Sequence, residues 1–355
     1  MFLHGIFPPI TTPFYPDGKI YYKKLEYNVD RYSRAPIAGM VVQGSTGEAI
    51  LMSDEERRDV LKAAMAAAAP NKVMIAGTGI ESAIETLRLT EYAATLGYDA
   101  AMVRTPHYYK GQMNRPQNML AFYRTVADRS PLPLIIYNFP QATGYDIPAE
   151  VVIELAEHAN IISIKESSGS IEKVQKMVEG TRHIQRTTTV TDVQEAVTGR
   201  MLSEAKAMAA SLPIAGQPSS SSSSTSSSTA VQVVGALKTR QKEVGFQVLV
   251  GAAHKLESSL NAGAVGAILA FACPAPTACF EIYAAWKENN DAVAKEKQQR
   301  IAEAAQKVVS EMSIPGVKYA MDLNGYFGGP VRLPLLPLTA EDKAKVEQLM
   351  ENIKN

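Results

Sequence analysis

The chain has 355 residues, 46% of them apolar, so it can bury a sizeable core and is too hydrophobic to be disordered. Its 36 basic and 36 acidic residues cancel, leaving no net field to attract nucleic acid or an anionic membrane; partners must be sought in local sites. Two cysteines without metal-ligand spacing, Cys273 and Cys279, suit free thiols of a reducing cytosol, and Met1–His4 carries no signal-peptide pattern, so a cytoplasmic location is expected.

Short apolar runs alternate with amphipathic stretches along the chain. Strands are predicted at Gly5–Ile10, Met40–Gln43, Val73–Ala76, Ala101–Arg104, Leu134–Tyr137, Ile161–Lys165, Phe246–Val250 and Ala267–Ala270. Most are apolar throughout, the pattern of strands buried on both faces. Between the second and third, Ser53-Asp54-Glu55-Glu56 is a capping-box start for a helix towards Ala69. Ser82 can cap a helix towards Leu96, and Pro148 opens one that ends near His158.

After Lys165 the rhythm breaks. Thr191–Ala210 reads as an amphipathic helix with Val193, Val197 and Met201 on a similar face, and Ser219–Thr229 is an unbroken Ser/Thr run expected to be a flexible linker. Leu260–Phe280 carries no charge, but Gly263, Gly266, Pro274 and Pro276 interrupt it, so a strand, a turn and a helix start fit better than a membrane span. From Asp291 onward further helices are expected on the outside, ending in Ala340–Asn355.

Eight strand–helix units in this length predict an α/β fold, a (β/α)8 TIM barrel over residues 1–290 with a helical extension over 291–355. A doubly wound open sheet is the alternative, weakened by the lack of a Gly-rich dinucleotide fingerprint after the first strand. The insertion, 185–237, falls between the sixth helix and the seventh barrel strand. Such connections lie at the bottom of a barrel, whereas active sites sit at the top, so the insertion is expected to be remote from the chemistry.

Three strand ends hold polar clusters. Gly44-Ser45-Thr46-Gly47-Glu48 follows the second strand, and its hydroxyls and amides between glycines can bind a carboxylate, though an ordinary strand–helix turn has the same composition. Tyr137-Asn138-Phe139-Pro140 ends the fifth strand, where a phenol can move a proton or simply serve as a bonded core tyrosine. Lys165 ends the sixth, ahead of Glu166-Ser167-Ser168-Gly169. A buried amine is costly to keep charged, and the neutral amine is what attacks a ketone carbon. A carboxylate cradle, a phenol and a desolvated lysine at the tops of three strands are what a pyruvate-type imine enzyme needs.

Gly-Ser-Thr-Gly-Glu (44–48), Tyr-Asn-Phe-Pro (137–140) and Ile-Lys-Glu-Ser (164–167) make the chain resemble the dihydrodipicolinate synthase / N-acetylneuraminate lyase family of class I aldolases, outside about Gln185–Leu237. Thr105–Gly111 and the tail, with Ile314-Pro315-Gly316, Gly325–Pro330 and Arg332, look most like its 4-hydroxy-2-oxoglutarate aldolase branch. The resemblance implies that Lys165 forms the imine with pyruvate or another 2-oxo acid and that Tyr137 moves the protons. It implies that Ser45 and Thr46, on the turn begun by Gly44, hold the substrate carboxylate, with Ser45 touching Tyr137. Ser167 matches a pocket hydroxyl, and Tyr108 matches a tyrosine that reaches into a neighbouring subunit, which implies a homotetramer built from dimers.

The imine chemistry calls on no cofactor and no metal. His4, His107, His158, His183 and His254 are scattered without ligand spacing, and His107 reads either as a pocket-mouth residue or as a structural one. Synthases of the family follow Tyr-Asn-x-Pro with an arginine that grips the second substrate's carboxylate, whereas this chain has Ala142 there. The expected function is therefore a lyase acting between pyruvate and an aldehyde, of the 4-hydroxy-2-oxoglutarate aldolase kind. The synthase, condensing pyruvate with aspartate semialdehyde, is the second reading, and a non-catalytic 2-oxo-acid binder the third.

Overall fold

The computed structural model describes residues 1–211, 232–234 and 237–355. Eight parallel strands form the central sheet: β1 (Gly5–Phe7), β2 (Gly39–Val42), β3 (Val73–Gly77), β4 (Ala100–Arg104), β5 (Leu134–Asn138), β6 (Ile161–Glu166), β10 (Gln247–Val250) and β11 (Gly266–Ile268). Three further strands, β7 (Arg186–Thr191), β8 (Gln232–Val234) and β9 (Leu237–Val244), form a separate antiparallel sheet in the order β7-β9-β8.

The large sheet runs β1-β11-β10-β6-β5-β4-β3-β2, and a parallel bridge between Pro9 and Val41 brings its ends together, so the fold is a TIM barrel. Alternation along the strands divides the apolar residues. Leu3, Phe7, Val41, Val73, Ile75, Ala100, Met102, Ile135, Leu249 and Ile268 fill the barrel interior. Their neighbours, such as Met40, Val42, Ile136 and Ile164, pack outward against the helices. Two buried faces explain why the strands read as unbroken apolar runs.

The capping box at Ser53 is complete: Ser53 Oγ accepts from Glu56 N, the Glu56 side chain accepts from Ser53 N, and the helix runs Asp54–Ala67. Ser82 precedes the helix Ala83–Thr95 but makes no side-chain cap; Thr86 Oγ1 instead bonds Ile80 N. Leu260–Phe280 resolves into β11, a short 3-10 turn and the start of a helix, Pro276–Lys287. Among the described residues no helix is long and apolar enough to cross a membrane.

The helix expected over Thr191–Ala210 is wrong in its first half. The helix spans Gly199–Ser211, and Arg186–Thr191 is a strand paired with β9. Val193 is 66% exposed, while Val190 and Val197 are buried, so the shared face was a coincidence of spacing. The Ser/Thr run, 219–229, lies outside the described residues. The described part of the insertion sits at the bottom of the barrel. Thr198 Oγ1 donates to Pro70 O (2.5 Å), Arg200 to the carbonyls of Ala68, Ala69 and Lys72 ahead of β3, and Arg186 to those of Ala156 and His158 ahead of β6 and of Ile161 at its start.

His4 enters β1 at this end, stacked on Phe2 (4.1 Å between centroids), whose ring lies under Lys242 of β9. Burial, with the charges of Lys242 and Lys287, pushes its pKa down to about 4. The unfolded chain binds the proton near pH 6.5 and the folded chain only near 4, so between them the unfolded state holds more protons. Stability should therefore fall as the pH drops through that window, by up to about 3 kcal/mol. Urea unfolding at pH 7 and 4.5 checks this: His4→Leu should lose less on acidification than the wild type.

Candidate active site

The top of the barrel opens into a cavity of about 890 Å3, lined among others by Ser45, Thr46, Tyr137, Lys165 and Ser167. Strand register brings the central pair together. Tyr137 of β5 pairs with Lys165 of β6, so both side chains point inward at the same height, and a register irregularity at Leu134/Ile135 sets that phase. Lys165 is 5% exposed, and its Nζ lies 4.2 Å from the centroid of the Tyr137 ring. No carboxylate pairs with it among the described residues, so its lone pair has no fixed competitor once the proton leaves.

The turn 44–48 reaches the same place. Ser45 Oγ and Tyr137 Oη are 3.3 Å apart, Thr46 is buried beside them, and Gly44 lines the wall. A hydroxyl pair in contact is a proton path from the cavity to the phenol. Phe139 stacks on Tyr137 at 5.9 Å and walls off one side. Tyr108 stands apart: it is 75% exposed, in edge-to-face contact with Tyr109, and does not line the cavity of its own chain.

Several polar groups that hold the site were not legible beforehand. Behind Lys165, the buried Glu166 accepts from Asn138 Nδ2 (2.9 Å) and Ser168 N (2.6 Å) and pairs with Lys173 (3.1 Å), which fixes the β5 and β6 tips against each other. Glu48 has a left-handed backbone (φ 57°) and is sealed inside with Lys318 at 2.5 Å. Lys318 also donates to Thr12 O and Pro330 O, and Arg332 N donates to Glu48 Oε2. Burial lowers the Lys318 pKa, which the Glu48 charge partly offsets. The carboxy-terminal segment is thus more than an outer layer. The π-turn Lys307–Glu311 contributes Val309 and Ser310 to the cavity, and Ile314, Pro334 and Leu335 close its rim.

On the β3–β4 side, Arg104 donates to Glu81 (2.9 Å), and Glu81 Oε2 accepts from the amides of His107 and Tyr108. Burial works to raise the Glu81 pKa, but these bonds outweigh it and hold the carboxyl below its usual range. His107, with Nδ1 2.6 Å from Glu81, is both a pocket-mouth residue and part of this brace. Ala142 lines the cavity, as the sequence placed it, and no arginine stands in its loop.

The model of the Dihydrodipicolinate synthetase family matches residues 2–189 and 226–353, leaving out most of the insertion. A 4-hydroxy-tetrahydrodipicolinate synthase of Methanothrix thermoacetophila is 29% identical over 98% of this chain and 95% of its own length. One from Natronomonas pharaonis is 38% identical over 50% of this chain and 59% of its own. Among solved structures, YagE, an E. coli K12 prophage protein of the dihydrodipicolinic acid synthase family in complex with pyruvate, superposes with a TM-score of 0.76 at 24% identity, covering 99% of each chain. The names of these relatives back the synthase reading better than the 4-hydroxy-2-oxoglutarate aldolase reading, and nothing in the matches singles out that branch.

Proposed function

Since this chain belongs to the dihydrodipicolinate synthetase family and is a lyase of the class I aldolase type, we propose that it makes or breaks a carbon–carbon bond between pyruvate and an aldehyde through an imine on Lys165. The observation that carries this is the Lys165 amine, without a carboxylate partner among the described residues, beside the Tyr137–Ser45 hydroxyl pair in one cavity.

In this reading the pyruvate carboxylate rests on Ser45, Thr46 and the amides of the turn begun by Gly44. Lys165 Nζ adds to the keto carbon, and Tyr137, relayed by Ser45, delivers the proton that lets the carbinolamine oxygen leave as water. The imine draws electrons from the adjacent carbon. Loss of its proton gives an enamine that attacks the aldehyde carbon, and the reverse sequence cleaves the bond. Hydrolysis of the imine frees the lysine. Tyr108, exposed on its own chain, completes the site of a neighbouring copy in a homotetramer built from dimers, and the enzyme works in the cytoplasm.

The aldehyde is the finer question. The relatives' names support aspartate semialdehyde, as in a 4-hydroxy-tetrahydrodipicolinate synthase. Ala142, in the place where a synthase carries its carboxylate-gripping arginine, favours the second reading, cleavage of 4-hydroxy-2-oxoglutarate into pyruvate and glyoxylate. Parallel assays of pyruvate release from 4-hydroxy-2-oxoglutarate and of pyruvate consumption with aspartate semialdehyde decide it. The synthase reading expects the second to exceed the first in kcat/KM by about a hundredfold, as for a site built around one partner's polar groups. The opposite ratio assigns the cleavage reaction, and activity in neither overturns both.

A further inference from the structure

With no arginine at 142, whatever grips the far end of an acidic aldehyde must come from elsewhere on the cavity wall. The chemistry present there narrows the choice. Arg104 is paired with Glu81, and Arg57 gives its Nε to Ala49 O; both stand on the β2–β4 side, away from the strand that carries Lys165. On the β6–β10 side, beyond the strand that carries the imine lysine, two groups keep hydrogen-bonding capacity among the described residues.

The first is Ser167. Its Oγ is buried and has no hydrogen-bond partner among the described residues, and the residue lines the cavity. An orphaned buried hydroxyl marks a place where a ligand atom completes the bonding. Gly251 leaves room for the hydroxyl, since a Cβ there would fall 2.1 Å from Ser167 Oγ. Gly251 N in turn donates to Glu166 O, so the two loops are stitched together directly above the β6–β10 pairing.

The second is Lys255. It ends the 3-10 turn Ala253–Lys255 that follows β10 and lines the same cavity. Its Nζ donates to Gly169 O at 2.9 Å, which anchors the ammonium over the 167–169 turn. No carboxylate pairs with it among the described residues, and two of its three N–H donors have no protein acceptor there. A cation pinned by one carbonyl of the turn that follows Ser167, with donors to spare, can receive a carboxylate.

We propose that Lys255 and Ser167 bind the distal carboxylate of the aldehyde-derived part of the substrate, so that Lys255 takes over the role for which an arginine at 142 was expected. This rests on the pyruvate–aldehyde reading above and specifies its second subsite. It predicts a partner that is an aldehyde acid in either direction of the reaction.

The test uses the full chain and the variants Lys255→Met, Lys255→Arg and Ser167→Ala. Kinetics are measured with an aldehyde that bears a carboxylate (glyoxylate and aspartate semialdehyde) and with propionaldehyde, which bears none. Lys255→Met is expected to raise KM for the carboxylated aldehyde about tenfold, the effect of losing one charge-assisted bond at a partly open site. The pyruvate KM should move far less, the preference for the acid over propionaldehyde should collapse, and Lys255→Arg should restore most of it. Equal losses with both aldehyde types, or none, overturn the proposal. Calorimetric binding of succinate, a dicarboxylate that cannot react, reads the subsite without chemistry. If the wild type forms no pyruvyl adduct with borohydride, the imine reading fails, while succinate binding weakened by Lys255→Met still supports the carboxylate site. Succinate binding indifferent to Lys255→Met sinks the site alone.

Discussion

Lys165→Ala will form no pyruvyl adduct with borohydride and will lose roughly 10⁴- to 10⁶-fold in kcat, the range found when an enzyme's nucleophile is removed. The wild type, reduced in the presence of pyruvate, should carry the adduct on the peptide containing Lys165, located by intact mass and peptide mapping. The size of the effect follows from the geometry. Among the described residues no second amine stands against the Tyr137 ring, so none of them can replace Lys165 in attacking the keto carbon with the Tyr137–Ser45 pair at hand. Lys165→Arg should be equally inactive, because a guanidinium stays protonated and has no lone pair to offer. Folding should survive both changes: Lys165 has no carboxylate partner among the described residues that would be stranded by its loss. A wild type that binds pyruvate but gives no adduct would instead fit the third reading, a non-catalytic 2-oxo-acid binder.

What could be seen in the sequence follows a physical division. The eight barrel strands were legible because burial on both faces forces a run of apolar residues, and such runs need no partner to be recognised. Lys165 stood out for the same reason, as a charge at the end of an apolar run. Its neighbour Tyr137 was legible as a strand end, but their contact is a matter of register between β5 and β6, which no local pattern encodes. The strand Arg186–Thr191 was missed because its alternation is carried by threonines and its partner, β9, lies some 50 residues on. Val193, Val197 and Met201 happened to fall at helical spacing, and only tertiary contacts show that Val190 and Val197 are the buried pair. Glu48 was visible as part of a polar turn, yet a glutamate in a turn reads as solvated. Its counter-charge, Lys318, comes from the far end of the chain. Lys255 carried no local signal at all; only the cavity wall reveals it.

Lys318→Met should destabilise the protein by about 3–5 kcal/mol, the cost of stranding one charge of a buried ion pair. Both residues are 1% exposed, and Lys318 Nζ is also the donor that ties Thr12 O to Pro330 O, so water cannot reach in to compensate without opening the top of the barrel. Glu48→Gln together with Lys318→Met removes the stranded charge and should recover more than half of the loss in urea unfolding. That recovery separates an electrostatic cost from a packing cost, since the double variant restores no methylene. The effect should also reach the chemistry. Glu48 N donates to Ser45 O, and Thr12 Oγ1 to Gly47 O, so the pair and its strap hold the turn that carries Ser45 and Thr46. A loosened turn binds pyruvate less well before it slows the proton transfer, so KM for pyruvate should rise more than kcat falls. A single variant that melts within about 1 kcal/mol of the wild type would mean that the pair is hydrated in solution. In that case the carboxylate cradle would owe its shape to its own glycines and not to the carboxy-terminal strap.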